Sequence, residues 1–170
     1  MKRPVLFLTL AILLLALDQV VKTWVQHAIP RGGSIHGLPL PGVFEVTLQY
    51  NEGIAFGFLQ GKGRLLAPIA IAIAGITAWY SFRHPKESLL THIAMSLLAA
   101  GALGNLWDRI FEGRVTDMFW FRKINFPVFN VADSCITIAT ILLIFTWFGA
   151  AEHAKKAQPV ITETPTPGTE

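Results

Sequence analysis

The sequence predicts an all-α membrane protein, with four transmembrane helices and a small antiparallel β-sheet lying on the extracytoplasmic membrane surface. Three observations predict it. Of 170 residues, 52% are hydrophobic and only 15% charged, with a mean hydropathy of +0.49, whereas soluble domains carry about 25% charged residues. Four apolar stretches are long enough to cross a hydrocarbon core of about 30 Å, which takes roughly 20 helical residues. Two segments between them alternate apolar and polar residues, the period of a strand with one buried face.

The helices are expected over residues 5–24, 65–82, 89–107 and 132–150. The first follows Lys2 and Arg3 as a signal peptide would. Its apolar run is long, and no small-x-small cleavage site precedes His27, so it reads as a retained signal anchor. Residues 29–63 and 108–131 are then long loops on one side, and Arg83 to Glu87 is a tight turn on the other side, shared with both termini. Raw charge does not orient the chain: Lys2, Arg3, Arg83, Lys86, Lys155 and Lys156 on the terminal side face seven basic residues in the long loops. The short segments carry theirs more densely and nearer helix ends, where the positive-inside rule acts, so both termini are expected in the cytoplasm. Residues 1–150 read as a single membrane-embedded domain and 151–170, rich in Pro, Thr and Glu, as a disordered cytoplasmic tail.

Two strands are expected in the long loops. In Val43 to Tyr50, Phe44, Val46, Leu48 and Tyr50 alternate with Glu45, Thr47 and Gln49, and Asn51, Glu52 and Gly53 break the pattern. Arg114 to Phe121 repeats it, with Val115, Asp117, Phe119 and Phe121 on one face, so an acid stands in an apolar row. The aromatics Phe119, Trp120, Phe121, Phe126 and Phe129 suit headgroup depth.

A second acid, Asp133, opens the last apolar run within F-N-V-A-D-S-C-I-T. A carboxylate in or beside hydrocarbon costs about 2.5–3.5 kcal/mol on insertion scales, which makes each of these acids a functional-site candidate. On the third helix, Ala100 with Gly104 and Gly101 with Asn105 are spaced four apart and offer a face for close helix approach. Asn105, Asp108 and Arg109 at its end need partners that packing alone does not supply. Asp18 and Lys22 are four apart in the favourable acid-first order and read as an interfacial ion pair, with Lys22 reaching outward to the surface.

Several classes lack support. A net charge of +3 without a basic, aromatic-interleaved stripe argues against nucleic acid. The single Cys135 precludes an internal disulfide and reads as a small buried hydrophobe. His27, His36, His84, His92 and His153 lie far apart without H-E-x-x-H, so no metal and no cofactor is expected. Ser134 beside Asp133 reads as helix-start chemistry.

L-D-Q-V-V-K at Leu17 to Lys22, Y-N-E-G-I-A-F at Tyr50 to Phe56, G-A-L-G-N-L-W-D-R at Gly101 to Arg109, G-R-V-T-D at Gly113 to Asp117 and F-N-V-A-D-S at Phe129 to Ser134 resemble, in order and spacing, the signature blocks of bacterial lipoprotein signal peptidase, signal peptidase II. The resemblance spans about Leu17 to Leu142. It implies a four-helix inner-membrane aspartic endopeptidase that cuts prolipoproteins before the lipid-modified cysteine. It further implies Asp117 and Asp133 as the catalytic pair, Asn51, Asn105, Arg109 and Asn130 lining the substrate site, and Asp18, Lys22 and Asp108 in support. Diacylglyceryl-modified prolipoproteins and membrane lipid would be the partners, and the protein a monomer. Met118, Ile54 and Ala100 depart from the commoner pattern, all as apolar replacements that touch pocket shape and not chemistry.

The chemistry follows from the residues as well. Hydrolysis by two carboxylates needs one ionised, to take a proton from water, and one protonated, to hydrogen-bond the carbonyl oxygen. If Asn130 caps the fourth helix, Asp133 falls in its first turn, where the helix dipole favours the anion. Asp133 is then the expected base and Asp117 the expected acid. Two other classes remain open on sequence alone: an ion- or proton-coupled transporter or channel subunit with Asp18, Asp108 and Asp133 as a relay, and a structural membrane scaffold.

Overall fold

The computed structural model describes residues 2–53 and 63–156. Among the described residues are four α-helices: α1 (Arg3–Ala28), α2 (Ala67–Arg83), α3 (Leu89–Phe111) and α4 (Val131–Lys156). Three are long and apolar enough to cross a membrane, namely α1, α3 and the Val131–Phe148 part of α4. The fourth, α2, has 17 residues, or about 26 Å of helix, and follows a 3₁₀ turn over Gly63–Leu66. α4 runs past the expected end at 150. The remainder of the expected disordered tail, 157–170, lies outside the described residues, as do Ile54 and Lys62.

α3 is the central helix, packed against α1, α2 and α4. Its small residues permit this closeness. A Cβ on Gly101 would lie 2.7 Å from Ile136 Cγ1 of α4, and one on Gly104 would lie 2.5 Å from Asp18 Oδ2 of α1. The Ser88 hydroxyl opens α3 by accepting the Thr91 N–H at 3.0 Å. The helix closes four residues later than expected, at Phe111, with Gly113 just beyond in the left-handed conformation (φ 74°) that favours glycine there. Asp108 and Arg109 therefore sit on α3 and not in a loop, which gives each a fixed direction.

The sheet has three antiparallel strands in the order β1 (Ser34–Leu40), β2 (Phe44–Asn51), β3 (Val115–Trp120). β1 escapes the sequence reading because Gly37 and Pro39 interrupt its pattern. The ladder pairs Gln49 with Asp117, Tyr50 with Thr116 and Asn51 with Val115, after an irregularity between Val46 and Gln49. Both faces of β3 are covered, contrary to the single buried face expected: Val115, Thr116, Asp117 and Met118 are all buried. Met118 and Leu48 pack on Val25 and Ile29 of the α1 end, which fixes the sheet to the helices. On β2 the polar alternates Glu45 and Thr47 are also buried, the first paired with Arg122 (3.0 Å) and the second donating to the Gly33 carbonyl (2.6 Å).

The segment before α4 is tied to β3. Phe129 accepts the N–H groups of Met118 (3.0 Å) and Phe119 (2.8 Å) and returns its own to Phe119 O (3.0 Å). Asn130 and the start of α4 are thereby held beside Asp117. Phe44, Phe119, Phe121, Phe126 and Phe129 form one run of ring contacts along this edge.

Candidate active site

Asp133 is positioned by the first turn of α4. Asn130 caps the helix, its Oδ1 accepting the Asp133 N–H at 2.8 Å, and Asp133 Oδ2 accepts the Asn130 N–H in return at 3.2 Å. This is a capping box with an acid at the third position, so the same hydrogen bonds that start the helix fix the carboxylate. The Asn130 cap, posed from sequence as a condition, is present.

Asp117 reaches the same place from β3. Its Oδ1 accepts from Asn130 Nδ2 at 2.7 Å and its Oδ2 from Asn51 Nδ2 at 3.2 Å, while Asn51 turns its own oxygen to the Gly53 N–H (3.0 Å). Asn105 of α3 closes the network: its Nδ2 donates to Asp133 Oδ1 (2.8 Å) and its Oδ1 accepts from Asn130 Nδ2 (3.0 Å). Asp117, Asn130, Asn105 and Asp133 are thus linked in a chain of carboxylates and carboxamides. Arg109, one turn beyond Asn105, donates to the Asn105 and Gly53 carbonyls (3.1 Å each), and its buried Nε has no partner among the described residues.

The network opens onto a cavity of about 740 Å³. Its polar wall includes Asn51, Asn105, Arg109, Asp117 and Asp133, and its apolar wall is Phe121, Phe126 and Phe129 with Ile136 and Ile138 of α4. Burial pushes the Asp117 carboxyl up to about 7, and the charge of Asp133 adds to the rise, against hydrogen bonds from Asn51 and Asn130 that pull it back. Near neutral pH, Asp117 is therefore able to hold a proton.

Behind this layer lies a second acid cluster. Lys22 Nζ sits 2.8 Å from Asp18 Oδ2 and 2.9 Å from Asp108 Oδ2, and donates to Asn105 Oδ1 at 3.3 Å. Lys22 is 2% exposed, so the outward-reaching interfacial pair expected from sequence is corrected: the ammonium points inward because two carboxylates and a carboxamide receive it there. Asp18 Oδ1 also accepts the Ala132 N–H of α4 (2.9 Å), and Asp108 Oδ2 the Thr116 N–H of β3 (3.1 Å). Gln19 Nε2 bridges Asp18 and Asp108 at 3.1 and 3.0 Å. The sequence reading passed over Gln19, although it stands beside Asp18 in L-D-Q-V-V-K. Every expected site residue within this layer and the one in front of it converges, and the described residues gather no group of three or more His, Cys, Asp or Glu side chains placed to hold a metal ion.

Paired carboxylates bridged by carboxamides, facing a part-apolar cavity at the end of membrane-length helices, define the class that includes intramembrane aspartic peptidases. The comparisons make the class particular. A sequence profile described as signal peptidase (SPase) II matches residues 10–149. Lipoprotein signal peptidase of Pseudoalteromonas translucida is 40% identical over 153 residues, covering 86% of this chain and 90% of that protein. The enzyme of the same name from Streptococcus pneumoniae is 36% identical over 144 residues, covering 85% and 93%. A solved structure described as a bacterial membrane enzyme superposes with a TM-score of 0.81 at 32% identity, covering 91% of this chain and 93% of that one. The chain belongs to the signal peptidase II family and is a peptidase. The transporter or channel alternative is not supported.

Proposed function

We propose that the chain removes signal peptides from lipid-modified prolipoproteins, cutting just before the diacylglyceryl-cysteine, with Asp117 and Asp133 as its catalytic pair. The observation that carries this is the carboxylate–carboxamide chain facing the cavity, with one acid raised to about 7 and the other set in a helix N-terminus. Asp117, protonated, hydrogen-bonds the scissile carbonyl oxygen. Asp133, in the first turn of α4 where the dipole favours an anion, takes a proton from water. The resulting hydroxide attacks the carbonyl carbon, and the amide C–N bond then breaks as the proton passes to the leaving cysteine amine. Such acid–base assistance supplies about 10²–10⁴-fold.

Asn51, Asn105 and Arg109 orient the peptide backbone from the cavity wall, while Asn130, expected to line the site but 0% exposed, acts from behind it by holding Asp117 and Asp133. Asp18, Lys22 and Asp108 hold α1, α3, α4 and β3 in register behind them. The phenylalanine and isoleucine wall suits acyl chains, each buried CH₂ of which contributes about 0.8 kcal/mol. α2 serves as a fourth span, its 3₁₀ turn adding reach to a short helix. The protein is read as one peptidase domain over 1–150, monomeric in the bacterial inner membrane, with both termini cytoplasmic and the sheet, its aromatics at headgroup depth, on the extracytoplasmic face.

The test is direct. Purified protein in detergent is given lipidated and unlipidated precursor, with and without EDTA or phenanthroline. Release of signal peptide from the lipidated form alone, unchanged by chelator, is expected. Equal cleavage of both precursors would remove the lipid from the recognition scheme, and chelator-sensitive activity restored by zinc would remove the carboxylate pair.

A further inference from the structure

On the α1 side of the sheet, two arginines share one ring. The Arg114 guanidinium lies over Tyr50 at 3.6 Å from the ring centroid and that of Arg31 at 5.4 Å. Among the described residues neither makes an ion pair, and the buried Nε of Arg114 has no acceptor. Glu112, the acid nearest Arg114 in sequence, is engaged by Gln26 Nε2 at 2.8 Å. Two like charges gathered at one aromatic ring, with no ion pair to either among the described residues, make a local positive field that favours an anion.

The depth of this pair identifies the anion. α1 ends at Ala28 and α3 at Phe111, both membrane-length helices, so Arg31 and Arg114 each stand three residues beyond a span end. Trp24, Trp107 and Phe111 are exposed just inside those ends, where an aromatic belt meets the headgroups. The geometry points to a binding site for the phosphate of an anionic phospholipid, held by Arg31 and Arg114 on the Tyr50 platform with its acyl chains along the outer faces of α1 and α3. Tyr50 precedes Asn51, and Arg114 precedes Val115, which pairs with Asn51. A bound headgroup would therefore clamp the strand ends that carry Asn51 and Asp117. This site goes beyond the peptidase reading and does not depend on it.

The experiment reads lipid binding alone. Protein in micelles containing equal phosphatidylglycerol and phosphatidylcholine is examined by native mass spectrometry, as wild type, as the Arg31→Gln, Arg114→Gln double variant and as Arg114→Lys, each with a thermal melt to certify folding. Wild type should retain one more phosphatidylglycerol than the double variant, with affinity about tenfold or more higher, as expected for two arginines near an anionic surface. Arg114→Lys keeps the charge but loses the planar fork and should fall between them. Retention of phosphatidylglycerol equal to wild type in both variants would overturn the site. Displacement by millimolar inorganic phosphate would overturn the lipid assignment in favour of a free anion.

Discussion

Two pairs of aspartates stand at the same cavity, one in its wall and one behind it, and they have opposite fates. Asp18 and Asp108 are each 1% exposed and are saturated by Lys22, Gln19 and two backbone N–H groups. Asp117 and Asp133 receive neutral carboxamides and backbone N–H only, with no cation at ion-pair distance among the described residues, and they face about 740 Å³ of open space. A cation and backbone N–H groups tie the first two carboxylates to four elements of the fold and make them structural. Carboxamides hold the other two in position at the cavity, with no cation paired to either among the described residues. Asn105 touches both groups, one oxygen toward Lys22 and one nitrogen toward Asp133, and marks the border between them.

If that contrast is right, substitutions should separate activity from stability. The largest effect is expected from Asp117→Asn or Asp133→Asn, each lowering cleavage of lipidated precursor by about 10²–10⁴-fold. Because the folded value of Asp117 lies above its unfolded one, its contribution to stability is complete at low pH and is lost as pH rises through about 7. Asp117→Asn should accordingly raise the melting temperature relative to wild type more at pH 8 than at pH 5. Near-normal turnover by either variant would erase the distinction between the two pairs.

Lys22→Met tests the other side. It strands two buried carboxylates and should cost about 3–5 kcal/mol of stability, seen as a large fall in melting temperature. Residual activity per folded molecule should exceed that of either Asp→Asn variant at the cavity. At the border, Asn105→Ala removes a donor to Asp133 and an acceptor of Asn130 and Lys22, and should lower kcat/KM by the equivalent of about 1–3 kcal/mol. The mildest probe is pH: turnover should decline above about 7, where Asp117 gives up the proton that the carbonyl oxygen needs, with a slope of up to about tenfold per unit. A profile flat to pH 9 would place the acid elsewhere.

The helices were legible because hydropathy acts locally, and so was the helix-start pair: Asn130 and Asp133 are three residues apart, and their reciprocal bonds need nothing else, whereas Asn51, Asn105 and Arg109 entered the site only through the resemblance to signal peptidase II. β2 and β3 were legible from their alternation. In the back layer the Asp18–Lys22 pair was legible from its spacing, but its direction was not. Whether Lys22 reaches outward or inward depends on Asp108, which lies 86 positions away and faces it only because α3 continues to Phe111. The covering of Glu45 and Thr47 likewise depends on Arg122 and the Gly33 carbonyl, partners that no spacing rule reveals.

Asn130 begins α4, bonds Asp117 and engages Asn105 through a single carboxamide. That amide is buried behind the cavity wall, where it tolerates few substitutions: Asp would add a third acid, Ser would keep the cap but fall short of Asp117, and Ala would loosen the helix start. Changes that evade an inhibitor seated in the cavity should therefore map to the phenylalanine wall, where shape can change while the carboxylate pair keeps its place.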